Sequence, residues 1–251
     1  MACREDQDLE FLYELKSTDL NDLVNTLVFD ENNSERFNED LSRAEKYKKY
    51  NPEHSKYVDE IIEEIQLNGG HTLVNMVRGC KGVQYKEILV DVCKKLKVNF
   101  NKDSKAEVIE NNLLMKILKN ALEKMSPEEI KELADSMGLE NISKLTPQTM
   151  TGMFVAIFNA GGFKSYQLTV IVANAVLKAI LGRGLTIAGN ATLTQTMAIL
   201  SGPIGWIVAG LWTIVDIGGP AYRVTIPTAI QIAVLRKSYL YKDMSEDVKF
   251  S

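Results

Sequence analysis

The sequence is poor in the residues that build most metal and redox chemistry. It holds two histidines, His54 and His71, and three cysteines, Cys3, Cys80 and Cys93. The histidines are isolated, which argues against a zinc site. The cysteines form no CxxC motif and cannot all pair, so a reducing cytosol is the expected setting. There is no P-loop motif, no GxSxG, no HExxH, and no GxGxxG after a strand, and each of those carries a defined chemistry. A catalytic reading therefore has no constellation to stand on, and a non-enzymatic protein without a cofactor is expected. Alternating apolar and polar runs bounded by hairpin turns are also missing, which leaves an all-α fold. The first residues, MACREDQDLEF, are acidic and lack a hydrophobic run, so no secretory signal is expected.

Charge is scarce in one half of the chain only. Residues 1–147 carry 29 Asp/Glu and 21 Lys/Arg, a net of −8, whereas residues 148–251 carry 4 and 8, a net of +4. Eleven of the 16 glycines fall between Gln148 and Leu235. The expected organisation is a charged helical sensor or regulatory domain over 1–146, an apolar glycine-rich helical unit over 147–238, and a polar tail over 239–251.

The longest charge-free run spans Gly184 to Val215, 32 residues between Arg183 and Asp216. Crossing a bilayer as a helix takes roughly 20 apolar residues, so the length permits a crossing. Thr192, Thr194, Gln195, Thr196 and Ser201 weaken the first half. Pro203, flanked by Gly202 and Gly205, predicts a kink or break. The run reads as one kinked span or as two short helices in a hairpin, in lipid or in the core of a soluble protein. The flanking stretches Val170–Leu181 and Val224–Leu235 are apolar nearly all round, as buried or lipid-embedded helices are.

Helix signals punctuate the charged half. Asp8 to Leu12 opens a short amphipathic helix, and Ser17 or Thr18 caps a second with Leu20, Leu23, Val24, Leu27 and Val28 on one face. Four further starts are read from caps: Asn51-Pro52, the Ser104/Glu107 box, Ser126-Pro127 with Glu129, and Thr146-Pro147. The Asn51 helix carries Val58, Ile61, Ile62 and Ile65. Residues 71–98 read as two helices broken at Gly79–Gly82. The Ser104 helix has Val108, Leu114, Ile117, Leu118, Ala121, Leu122 and Met125 as its apolar positions.

Two groups of polar residues stand above a plain solvated surface. Lys46, Tyr47, Lys48, Lys49 and Tyr50, then Arg78, Lys81, Tyr85, Lys86, Lys94 and Lys95, interleave cations with aromatic rings. Nucleic-acid sites use that mixture, the cations for phosphates and the rings for bases. Asp216 and Arg223, seven apart in apolar sequence, share a helix face unless Gly218-Gly219-Pro220 breaks the helix; they read either as groups facing the bundle interior or a water path, or as a structural ion pair or hinge anchor.

The blocks Asn68-Gly69-Gly70, Asn75, Arg78-Gly79, Gly82, Tyr85, Ile88-Leu89, Asp91-Val92 and Lys95-Leu96-Lys97 resemble the signature of the bacterial YaaW family. So do Gly219 to Pro227, Gln231-Ile232-Ala233 and Leu235-Arg236. The resemblance covers most of the chain and is specific in these two blocks, with residues 140–200 outside it. That family carries the description ubiquinol–cytochrome c chaperone-like. The chain is also similar to the membrane effector of the Hailong anti-phage defence system, in which a partner nucleotidyltransferase makes a short DNA oligomer that restrains the effector.

This resemblance implies a membrane effector at the cytoplasmic face of the inner membrane, or cytoplasmic until activated. It would act as a homo-oligomer forming an ion-conducting pore in membrane lipid. Arg78, Lys81, Tyr85 and Lys86, with Lys46, Lys48 and Lys49, would bind a short single-stranded DNA oligomer. Asn190, Thr194, Gln195, Pro203, Asp216 and Arg223 would line or gate the pore. The alternative is a soluble assembly factor, chaperone-like, with no pore.

Overall fold

The computed structural model describes residues 5–36, 40–69, 82–139, 146–186 and 222–241. Among these, nine α-helices and three short 3-10 turns carry the fold, and the sole strand-like pairing is an isolated bridge between Phe29 and Glu35. In chain order they are α1 (Ser17–Val28), α2 (Glu45–Tyr50), α3 (Val58–Gly69), α4 (Tyr85–Lys95), α5 (Ala106–Leu122), α6 (Pro127–Ser136), α7 (Pro147–Ala160), α8 (Gly162–Leu181) and α9 (Tyr222–Tyr241).

The predicted apolar stripes face inward. Leu20, Leu23, Val24, Leu27 and Val28 of α1 are buried, as are Val58, Ile61, Ile62 and Ile65 of α3. Each such leucine or isoleucine contributes roughly 1.5–3 kcal/mol by leaving water. In α5 the expected core position Val108 is 44% exposed, and its neighbour Ile109 takes the inward place.

Two of the five cap readings hold, and neither Ser17 nor Thr18 is the cap of α1, because the helix already begins at Ser17 behind Lys16. Ser126 Oγ accepts from the Glu129 amide at 3.2 Å, while Glu129 Oε2 accepts from the Ser126 amide at 2.7 Å. Thr146 Oγ1 accepts from the Thr149 amide at 3.2 Å. Ser104 caps nothing, since α5 starts at Ala106 behind Lys105 and the Ser104 amide closes a turn on the Asn101 carbonyl. Asn51-Pro52 forms a turn, and the next α-helix begins only at Val58. Both misplaced starts are short-range signals overruled by where the neighbouring apolar stripe meets the core.

The helices α8 and α9, which carry the two longest apolar stretches among the described residues, lie at the centre. They pack on each other, and α9 also meets α1, α3, α4 and α5. Buried side chains from Leu9 to Val234 form one hydrophobic cluster, to which residues on both sides of the boundary read near Thr146 contribute. α8 ends at Gly182, whose φ of 68° suits glycine. The chain then passes so close to Asn174 that a Cβ on Gly184 would lie 2.2 Å from its Oδ1. That approach lets Asn174 Oδ1 accept from the Leu185 amide at 2.9 Å.

Candidate functional site

Among the described residues, the basic residues singled out in the first half sit on α2 and at the two ends of α4. Lys46 Nζ lies 3.0 Å from Glu60 Oε1 and 3.6 Å from Asp59 Oδ2, and the bond to Glu60 raises its pKa most. Lys48 is exposed, and Lys49 sits 4.9 Å above the Tyr50 ring. Tyr47 turns an edge to Tyr57, with ring centroids 5.5 Å apart. Lys86 is half-buried at the second position of α4. The α2 lysines pack beside the turns at 41–43 and 54–56, whereas α4 packs on α3, α5 and α9. Arg78 and Lys81 lie outside the described residues.

Tyr85 requires a correction. It is fully buried and offers no ring face to a base. Its spacing from Ile88, Leu89 and Val92 places it on the inward stripe of α4. Its hydroxyl donates to Glu110 Oε1 at 2.8 Å, and its amide donates to Asp6 Oδ2 at 2.6 Å. Glu110 is 2% exposed and receives Arg236 Nε at 2.9 Å on Oε2. Burial pushes the Glu110 carboxyl up, opposed by Arg236 and Tyr85. Arg236 Nη2 also donates to the Asp8 carbonyl at 2.6 Å, and its guanidinium lies 4.5 Å from the Phe11 ring centroid. This network ties the first turn, α4, α5 and α9 together. No sequence signal links Glu110 to Arg236, which are 126 residues apart.

A second polar cluster lies at the foot of the charge-free run. Arg183 donates to the carbonyls of Asn25, Phe29 and Asp30 at 2.9, 3.0 and 3.1 Å. These carbonyls lie where α1 ends, where a cation meets the negative end of the helix dipole. The Thr186 amide and hydroxyl donate to the Asp22 carboxylate at 2.7 and 2.6 Å. On the return, Arg223 Nη1 lies 3.3 Å from Glu31 Oε1. The loop receiving both arginines is preformed. Asp30 Oδ1 accepts from the amides of Asn32 and Ser34 at 2.9 and 2.8 Å, and the Arg36 amide returns to the Val28 carbonyl at 2.8 Å.

Of the pore residues read from sequence, Arg223 is seen anchored in this way. Asn190, Thr194, Gln195, Pro203 and Asp216 lie outside the described residues. Among the described residues no helix is long and apolar enough to cross a membrane. Sequence reasoning missed Arg183 and Asp22; a lone arginine at the border of a charge-free run was the available signal.

Comparison with known proteins gives a family for the chain. A family model described as ubiquinol-cytochrome C chaperone matches residues 53–229, and a domain of unknown function matches residues 4–37. A UPF0174 protein of Helicobacter pylori is 50% identical over 94% of this chain and 93% of its own length. The chain belongs to the UPF0174 (YaaW) family. Escherichia coli K12 has a UPF0174 protein YaaW that is 32% identical over 92% of this chain and 94% of its own. No solved structure matches the chain.

Proposed function

We propose that this UPF0174 protein is a membrane-acting effector of anti-phage defence. Its helical bundle holds the charge-free run at both ends. When freed, several copies insert the run into the inner membrane and line an ion-conducting pore. The observation that carries this reading is the anchoring of Arg183 and Arg223 on the same loop, residues 29–36. A run tied at one place leaves and returns on one side of the bundle, as a hairpin does. Its ties are hydrogen bonds and an ion pair outside the apolar core, so they part without dismantling the bundle. One copy offers at most two crossings, and lipid-facing backbone satisfies its hydrogen bonds within helices, so a water path needs several copies.

The controlling ligand is a short single-stranded DNA oligomer made by a partner nucleotidyltransferase. Arg78, Lys81 and Lys86 are its contacts, with Lys48 and Lys49 next and Lys46 last because Glu60 already holds it. Replacing Arg78 and Lys86 together by Ala is expected to weaken oligonucleotide binding strongly; unchanged binding rejects the site.

Purified protein in planar bilayers tests the pore. Stepwise currents are expected, and Asn190→Asp, in the polar row with Thr194 and Gln195, is expected to shift their cation-to-anion ratio. An absence of current, with the protein confined to the soluble fraction of cells, favours the second reading. That reading is a soluble assembly factor without a pore, and the chaperone description of the matching family supports it.

A further inference from the structure

The connection from α4 to α5 is basic in a half of the chain that is acidic. From Lys94 to Lys105 the sequence holds five lysines and one carboxylate, Asp103. Lys94, Lys97, Lys102 and Lys105 are exposed and Lys95 is half-buried. Lys94 Nζ lies 3.9 Å from Asp91 Oδ1, and among the described residues none of the other four is paired with a carboxylate. Cations in the last turn of a helix suit its dipole, which accounts for Lys94 and Lys95. It does not account for two others. Lys97 takes the left-handed position just past α4, with φ 52°, and the Val98 amide closes on the Cys93 carbonyl at 2.9 Å; glycine is the favoured residue there. Lys105 is the residue before α5 and makes no side-chain cap bond, where serine, aspartate or asparagine is favoured and a cation opposes the helix dipole. Two lysines held against local preference point to a use for their charge.

The position of this loop suggests that use. Lys95 Nζ lies 5.3 Å from the ring centroid of Tyr222, which opens α9 just downstream of the charge-free run. The arginines that flank the run are already engaged, Arg183 with three carbonyls and Arg223 with Glu31. The free positive charge beside the end of the run therefore comes from the α4–α5 loop. Its chemistry favours a lipid surface over a nucleic acid. A single strand needs exposed rings for its bases, but Phe100, the one aromatic residue between Lys94 and Lys105, packs against the core, and the Tyr222 ring carries Lys95. All five cations are lysines, flexible point charges that suit a fluid layer of headgroups and lack the fixed fork that arginine offers a single phosphate.

We infer that the α4–α5 loop, Lys94 to Lys105, docks the chain on the anionic phospholipid headgroups of a bilayer, beside the place where the charge-free run ends. The inference rests on the membrane reading of that run and adds to it the lipid class and the residues that select it. A lysine near an anionic surface strengthens binding about fivefold.

Co-sedimentation of the full chain at pH 7 with phosphatidylcholine vesicles, and with vesicles in which roughly one lipid in three is phosphatidylglycerol, tests the inference. The anionic vesicles are expected to bind at least about tenfold more tightly, with the advantage shrinking as salt is raised. The triple variant Lys97→Gly, Lys102→Gln, Lys105→Ser removes three charges while giving both helix ends the residue they favour. It is expected to melt no lower than the parent and to bind anionic vesicles about a hundredfold more weakly, three factors of about five. Equal binding to both vesicles, binding to neither, or unchanged anionic binding by the folded variant would each overturn the inference. So would a variant that loses a short single-stranded DNA but keeps the anionic vesicles, which assigns these lysines to the oligonucleotide. Planar-bilayer current judges the pore separately. Current from protein with no anionic preference removes this inference and leaves the pore; anionic binding lost in the variant, with no current from the parent, does the reverse.

Discussion

Replacing Lys237 by Met measures what a buried ammonium costs this fold. Lys237 is 5% exposed; its Nζ lies 3.0 Å from Ser165 Oγ and 4.2 Å from the Phe158 ring centroid. Burial pushes its pKa down from 10.5 to about 8, against the pull of Glu107 and Glu110 on α5. Unfolded, the same group titrates near 10.4. The folded value is the lower one, so between about pH 8 and 10.5 the unfolded chain holds the extra proton. Stability therefore rises with pH through that window, by about 1.4 kcal/mol per unit. Below pH 8 the full cost, about 3 kcal/mol, is present. Methionine keeps an unbranched side chain and removes the charge. Its stability advantage over the parent is expected to shrink by about 3 kcal/mol from pH 7 to pH 10.5. The lost Ser165 bond and ring contact move the offset between the two proteins but not its pH dependence. Urea unfolding of both at pH 7, 8, 9 and 10 reads the difference, in which the tyrosines and cysteines cancel. A difference that stays constant across the series refutes the reasoning and places the ammonium in contact with water.

Three further outcomes follow from the same geometry. Arg183→Ala removes a charged donor from three carbonyls, and urea unfolding is expected to show a loss of about 1.5–3 kcal/mol. Glu110→Ala leaves the partly buried Arg236 without its carboxylate. That is expected to cost about 3–5 kcal/mol, with the Glu110→Leu, Arg236→Met pair recovering much of it by the same measurement. The Cys93 thiol is fully buried and pushed up to about 12; iodoacetamide at pH 8 followed by mass spectrometry is expected to find it unmodified until the chain is unfolded.

The fold was legible where one helix face had to be apolar. The stripes of α1 and α3 are read directly from their spacing, and the unbroken apolarity of Val170–Leu181 and Val224–Leu235 announces the two central helices. Caps were legible at Ser126 and Thr146, where the cap residue adjoins the first turn of a stripe. They misled at Ser104 and Asn51, where local chemistry fits a cap but the stripe begins later. Tyr85 was read for its neighbours in sequence, Lys81 and Lys86, when its i+3, i+4 and i+7 partners decide its direction. The long-range polar pairs were beyond reach. Nothing in a single sequence joins Thr26 to Gln231 or Asp22 to Thr186, because such pairs are set by how α9 and the segment after α8 pack on α1 and not by any period.

The central position of α9 has a consequence for how the chain is made. Its partners on α1 and α5 precede it by 205 and 126 residues, as the Thr26–Gln231 and Glu110–Arg236 contacts record. On the ribosome those faces stay open until residues beyond Arg236 emerge, and closing such distant contacts is slow. The charge-free run from Gly184 to Val215 is synthesised before α9. It therefore meets the cytosol while the slot that α9 fills is still empty and before Arg223 exists to hold its far end. Whichever arrives first at the nascent chain, a chaperone, a bilayer or its own last helix, meets that run unguarded.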